Sequence, residues 1–199
     1  MPFEIIRQDI TDMKTDAIVN PTNNKLQPSS SGVCGSIFKK AGFQKLQNAC
    51  QKIGSIKIGD AVITKGYNLG CKYIIHTVGP VWRDGKNNES TLLYNTYINC
   101  LKLAKYKKCK SIAFPLISSG NFGYPKDKAL KIATNAIKDF LSENDMLIYL
   151  VVFDKKSFKI SKNLFDSIKQ YIDDNYVDAH KDKRYKQNID ILDDVDSST

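Results

Sequence analysis

The chain has 199 residues, 42% of them hydrophobic and 26% charged, a balance that suits one globular domain with a buried core and excludes a disordered or fibrous chain. There is no apolar run of the roughly eighteen residues a membrane helix needs, and the segment from Met1 to Arg7 lacks the charged and apolar regions of a secretion signal, so a cytoplasmic location without a membrane partner is expected. The net charge of +9 conceals an asymmetry: from Asp173 onward there are eight acidic and four basic side chains, whereas the preceding residues carry 26 basic and 13 acidic ones and suit an anionic ligand.

Taken in order, Glu4-Ile5-Ile6 opens a short strand that leads into Arg7-Gln8-Asp9-Ile10-Thr11. The β-branched run Asp16-Ala17-Ile18-Val19-Asn20 predicts a buried strand, stopped by Pro21 and the polar Thr22-Asn23-Asn24. A loop continues through Ser29-Ser30-Ser31-Gly32-Val33-Cys34-Gly35 into a helix over 36–41 that Gly42 breaks. A helix over about 44–51 and strands over 61–65 and 72–78 follow, the last of these apolar enough for burial on both faces. Leu93, Tyr97, Cys100, Leu101 and Ala104 mark one face of a long helix over about 89–108. A strand over 111–117, a helix over 125–141 and a strand over 147–153 come next, and a final helix is expected to carry Leu164, Phe165, Ile168, Tyr171 and Ile172 on one face. Residues 173–199 read as a charged, solvated tail after a single domain over 1–172.

Strands that alternate with helices, most of them uniformly apolar, predict an α/β fold with a largely parallel sheet between two helix layers. Two strand-to-helix loops stand out. Ser118-Ser119-Gly120-Asn121-Phe122-Gly123-Tyr124-Pro125 places small residues before a helix, where free backbone N–H groups and the helix dipole favour phosphate, and Pro125 suits the first helical position. Ser29 to Gly35 forms a second such cradle. The five cysteines, Cys34, Cys50, Cys71, Cys100 and Cys109, are odd in number and never spaced C-x-x-C, so neither a disulfide framework nor a zinc site is indicated. His76, on an apolar strand, reads as a hydrogen-bonded structural histidine, and Trp82 fits either a pocket rim or a plug.

The order of these pieces resembles the macrodomain family of three-layer α/β/α ADP-ribose-binding modules. The resemblance rests on Asp9-Ile10, Asp16 to Asn23, Gly32 to Ile37, Ile75-His76-Thr77-Val78-Gly79-Pro80 and Ser119 to Pro125. It implies that Asp9, with Ile10 beside it, accepts a hydrogen bond from the adenine amino group and that Phe153 packs on adenine. It also implies that Asn23 binds the distal ribose, that Gly32, Val33, Cys34, Gly35 and Ile37 line that ribose and a phosphate, and that Ser118, Ser119, Gly120, Asn121, Phe122 and Gly123 hold the diphosphate, with Phe122 packing on the distal ribose. No cofactor or metal is implied.

One departure matters for chemistry. Hydrolytic macrodomains of the best-known type carry several glycines followed by valine and aspartate in the first loop, whereas here Cys34 follows Gly32-Val33 and the loop is about one residue longer. A neutral thiol is a poor general base for water, although a thiol at a helix N-terminus is expected to be more acidic than a free one. The resemblance therefore implies a module that hydrolyses ADP-ribosyl modifications, either ester-linked ADP-ribose on protein or nucleic acid or O-acetyl-ADP-ribose, with Asn23 and Cys34 as the candidate catalytic residues. The rival is a non-catalytic ADP-ribose reader. The expected partners are ADP-ribose and ADP-ribosylated macromolecules, with generic nucleic acid less favoured and a monomeric state.

Overall fold

The computed structural model describes residues 2–164 and 170–172. Its centre is a seven-stranded sheet in the order β3-β4-β2-β5-β6-β1-β7. The strands are β1 (Phe3–Arg7), β2 (Ala17–Pro21), β3 (Ala61–Lys65), β4 (Tyr73–Thr77), β5 (Ser111–Pro115), β6 (Leu147–Val152) and β7 (Gln170–Ile172). All neighbours run parallel except β3 and β4, which pair antiparallel with Ile63 opposite Ile75. A short link through Gly66 joins those two strands, whereas the parallel pairs need helical crossovers.

The helices are α1 (Gly32–Ala41), α2 (Phe43–Ile53), α3 (Glu89–Tyr106), α4 (Lys126–Leu141) and α5 (Lys155–Leu164), with a 3-10 turn over Ile10–Asp12. Two apolar clusters cover the sheet. One gathers Leu93, Tyr97 and Leu101 of α3 with Leu130, Ala133 and Ile137 of α4 over Val19, Ile75 and Phe114. The other gathers Ile37 and Phe38 of α1 with Leu46 and Cys50 of α2 over Ile18, Ile74 and Ala113. Side chains of β2 thus enter both clusters in alternation, which accounts for its uninterrupted apolar run. This arrangement is the three-layer fold expected from the sequence, and all five cysteines are buried free thiols.

Two expectations need correction. Tyr171 and Ile172 do not extend a last helix: β7 lies parallel to β1, with Tyr171 opposite Ile6 and Ile172 opposite Arg7. Phe165 and Ile168 fall outside the described residues, as does the segment 173–199. Short apolar runs carry no reliable period, and an open sheet edge beside β1 outweighs the weak helical spacing there. Pro125 is the residue before α4 rather than its first helical one, with ψ at 127°, and its carbonyl accepts from Ala129 N–H at 2.9 Å.

Candidate ligand site

β2, β5 and β6 end at the same side of the sheet, and the loops that follow them enclose a cavity of about 390 Å³. Parallel sheets collect ligands at this edge because each strand there hands over to a helix N-terminus. The first loop brings Asn23, Gly32, Val33 and Cys34 to the cavity, the second brings Ser118, Ser119, Gly120, Asn121 and Phe122, and Asp9, Ile10 and Phe153 close the other end.

The second loop is a turn built around unpaired donors. Ser118 adopts φ +66°, its carbonyl accepts from Tyr124 N–H at 2.9 Å, and Gly123 N–H donates to the Gly120 carbonyl at 2.9 Å. Between these ties, the backbone N–H groups of Gly120, Asn121 and Phe122 have no partner among the described residues. The buried Ser118 hydroxyl has no partner there either. Three adjacent free donors and a free hydroxyl at a cavity wall have the chemistry that suits an anion.

Across the cavity, α1 starts at Gly32 after an extended Ser31 that makes no side-chain cap. The N–H groups of the first helical turn lack intrahelical acceptors, and Gly32, Val33 and Cys34 of that turn line the cavity. Asn23 folds the loop onto itself, its Oδ1 accepting from Lys25 N–H at 3.0 Å and Gln27 N–H at 3.1 Å. Its Nδ2 lies 3.5 Å from Gln27 Oε1, so the amide retains donor capacity toward the cavity. Cys34 is buried, its thiol 3.7 Å from the Gln27 carbonyl. Burial pushes the thiol pKa up, against the smaller opposing effects of Ser29, Asn20 and Thr22. The direction is opposite to the more acidic thiol expected at a helix N-terminus, because desolvation is the largest cause and disfavours the thiolate.

At the far end, Asp9 is 4% exposed and caps the 3-10 turn, with Oδ1 accepting from Thr11 N–H at 3.0 Å and Thr11 Oγ1 at 2.7 Å. Its Oδ2 lies 3.7 Å from Lys40 Nζ, so the carboxylate has a structural duty as well as a place in the wall. Phe153 follows β6, and its carbonyl accepts from Arg7 Nε at 3.2 Å.

Three sequence-derived site residues lie elsewhere. Ile37 is fully buried in the cluster beneath α1, because it sits a turn beyond the cavity on the helix face turned to the sheet. Gly35 lies under the first loop, and a Cβ there would stand 2.6 Å from the Ser29 carbonyl oxygen. Gly123, at φ +68°, closes the second turn without lining the cavity.

The wall also contains residues that the sequence reading missed, among them Gln27, Gly79, Asp154 and Ser157. Asp154 accepts from Ser157 N–H at 2.8 Å, Ser157 Oγ at 2.7 Å and Lys126 Nζ at 2.9 Å. Burial raises its pKa, but Lys126 and Ser157 together hold it below the ordinary value. The spacing of Asp154 and Ser157, an acid three residues ahead of a serine at a helix start, was the available signal.

His76 is fully buried: Asn20 Nδ2 donates to its Nδ1 at 3.0 Å, and its Nε2 lies 2.9 Å from Thr64 Oγ1. Burial lowers its pKa to about 4, which fits the structural role read from the sequence. Among the described residues no group of three His, Cys, Asp or Glu side chains is placed to hold a metal ion, and no helix is long and apolar enough to cross a membrane.

Residues 19–133 match the family model for the Macro domain. A macro domain-containing protein of Methanosarcina mazei is 43% identical over 168 residues, spanning 83% of this chain and 89% of that protein. The O-acetyl-ADP-ribose deacetylase of Escherichia fergusonii is 42% identical over 168 residues, spanning 81% and 94%. Among solved structures, the Oceanobacillus iheyensis macrodomain with ADP superposes with a TM-score of 0.76 at 39% identity, covering 82% of this chain and 92% of that one. The Trypanosoma brucei macrodomain in complex with ADP-ribose gives 0.73 at 33% identity, covering 80% and 67%. These similarities, together with the three-layer fold and the paired strand-to-helix loops, establish that the chain belongs to the macrodomain family.

Proposed function

We propose that this cavity binds ADP-ribose and that the protein hydrolyses ADP-ribosyl esters, as the name of its Escherichia fergusonii relative suggests. The observation that carries the reading is the set of free N–H groups at Gly120, Asn121 and Phe122 facing the first turn of α1 across one cavity. Two cradles suit a diphosphate, while Asp9 and Phe153 at the far end supply an acceptor and a ring for a purine. The Asn23 amide meets the distal ribose, and a water held between a ligand phosphate and that amide attacks the ester. The acyl–oxygen bond breaks, a carboxylic acid leaves and free ADP-ribose remains. Rate then comes chiefly from orientation, because the Cys34 thiol is neutral at pH 7 and no aspartate stands there. The domain that does this spans residues 1–172, works as a monomer and resides in the cytoplasm.

Incubation with O-acetyl-ADP-ribose tests the reading, with product release followed by chromatography. Wild type should release ADP-ribose and Asn23→Ala should not, while Asp9→Ala should weaken ADP-ribose binding about tenfold, as loss of one charge-assisted hydrogen bond does. Binding without release would assign the protein as a reader. The neutral Cys34 is the specific observation that favours that second reading.

A further inference from the structure

Outside the cavity, Glu89 is a buried carboxylate that accepts four backbone N–H groups. At 2% exposure it accepts backbone N–H groups of the preceding turn: Oε1 from Arg83 at 3.2 Å, Asp84 at 3.4 Å and Gly85 at 3.3 Å, and Oε2 from Asn87 at 2.7 Å. The turn is braced a second time by Asp84 Oδ1, which accepts from Lys86 N–H at 2.9 Å and Asn87 Nδ2 at 2.8 Å. A surface turn does not require such anchoring to connect a strand with a helix. What it presents is Trp82.

Trp82 reaches from this turn onto the second loop. Its backbone N–H donates to the Phe122 carbonyl at 2.8 Å, and its ring packs on Tyr124 with centroids 4.7 Å apart. Lys128 Nζ sits 4.8 Å from the indole centroid. From below, Gly85 adopts φ +80°, and a Cβ there would stand 2.7 Å from the indole ring. The Tyr124 phenol pKa is raised by burial and by the Glu89 charge, which places the carboxylate within electrostatic reach of the loop. Resting on the ADP-ribose reading above, we infer that Glu89 is a positioning residue: through the turn it organises and the indole of Trp82, it sets the Phe122 backbone that meets the distal half of the ligand. Trp82 is thereby neither a rim nor a simple plug. It is a strut between a buried carboxylate and the diphosphate loop.

Because the strut supports the second loop and not the adenine end, its loss should separate two ligands. Glu89→Gln keeps the shape but replaces one accepting oxygen with a donor, and Gly85→Ala pushes on the indole from an independent direction at a strained φ. Calorimetry with ADP-ribose and ligand-observed NMR with adenosine would be run on wild type and both variants. ADP-ribose affinity should fall about tenfold in each variant while adenosine binding changes less than about twofold. Trp82 is the only tryptophan, so its emission and acrylamide quenching report on the strut without any ligand, and both variants should show a red shift and faster quenching. Should Glu89→Gln fail to fold, Gly85→Ala carries the test alone. Unchanged ADP-ribose affinity, or equal losses for both ligands, in a folded variant would overturn the inference. An unaltered Trp82 environment would overturn it as well. Wild type that fails to bind ADP-ribose while both variants displace the indole would sink the functional reading and leave the strut standing.

Discussion

The two loops that face each other across the cavity present similar N–H donors but are held differently. The second is tied at every side: Tyr97 OH receives Ile117 N–H at 3.0 Å and approaches the Pro115 carbonyl at 3.2 Å, Tyr124 N–H closes on Ser118, and Trp82 braces Phe122. The first carries three consecutive serines, Ser29, Ser30 and Ser31, and Ser31 N–H meets only Ser29 Oγ at 3.4 Å. Its firm points lie away from the serines, in the Asn23 turn, where Oδ1 accepts from Lys25 and Gln27 N–H, and below, in Asn20 on His76. A preformed cradle can bind an anion without ordering cost, whereas a loosely tied one must pay that cost in conformational entropy on binding. On this count of ties the second loop is the fixed half of the proposed site, and the serine stretch of the first is its adjustable half.

Breaking the fixed half should have the largest effect. Gly123 closes the second turn at φ +68°, and a glutamate there adds both left-handed strain and a negative charge beside the proposed phosphate cradle. Gly123→Glu is expected to weaken ADP-ribose binding by more than about a hundredfold, whereas Gly123→Asn, which tolerates that conformation, should stay within about threefold. Calorimetry on the pair checks this. Retained binding in the glutamate variant would mean that the turn is as adaptable as the first loop.

The firm point under the first loop makes a prediction about acid. The folded-state pKa of His76 is lowered to about 4 by burial, so between its ordinary pKa near 6.5 and that value the unfolded chain binds a proton that the folded one does not. Its contribution is fully present above pH 6.5 and is lost as pH falls toward 4, by at most about 3 kcal/mol. Urea titrations at pH 7 and pH 5 should show about 2 kcal/mol of that loss, and His76→Gln should flatten the slope. In the same range the second loop should be indifferent to acid, since no histidine among the described residues supports it.

Tyr97→Phe tests the fixed half more gently. It leaves a buried N–H and carbonyl unsatisfied without opening a cavity, and should destabilise the fold by about 1–2 kcal/mol in urea while lowering ADP-ribose affinity severalfold. Loss of stability without loss of affinity would confine Tyr97 to the core.

Legibility in the sequence followed the same division. The second loop could be read because an apolar strand, a glycine turn and a helical period adjoin each other, and local chemistry decides such a boundary. The first loop could be located, but not resolved residue by residue: Gly32, Val33 and Cys34 face the cavity while Gly35 and Ile37, in the same short motif, face the loop's underside and the core. A motif marks a segment and cannot state which side of a helix its residues take. The Glu89 turn was invisible because its partners are backbone N–H groups, which carry no residue identity. β7 was misread because strand pairing at an edge depends on a neighbour more than a hundred residues away.

Cys34 gives the smallest expected effect and the sharpest contrast with the usual aspartate. Its pKa is raised because burial disfavours the thiolate more than Ser29, Asn20 and Thr22 favour it. A group raised in this way is protonated at neutral pH, so the nucleophilic form grows only as pH climbs past the ordinary thiol range. Alkylation of Cys34 by iodoacetamide, followed by peptide mass spectrometry, should therefore be slower at pH 7.5 than for an exposed thiol and should accelerate beyond pH 9. Saturating ADP-ribose should slow it further if the ligand occupies the wall that Cys34 forms. Rapid alkylation at pH 7.5 would mean that the first loop opens often enough to hydrate the thiol, making it more adjustable than its hydrogen bonds imply. Cys34→Asp then separates geometry from chemistry. If the loop already places position 34 beside the bound ester, an ionised carboxylate there should raise the hydrolysis rate at unchanged KM. If the rate does not rise, the longer serine-rich loop and not the missing acid limits turnover, because a base helps only where the water it activates is already held in line.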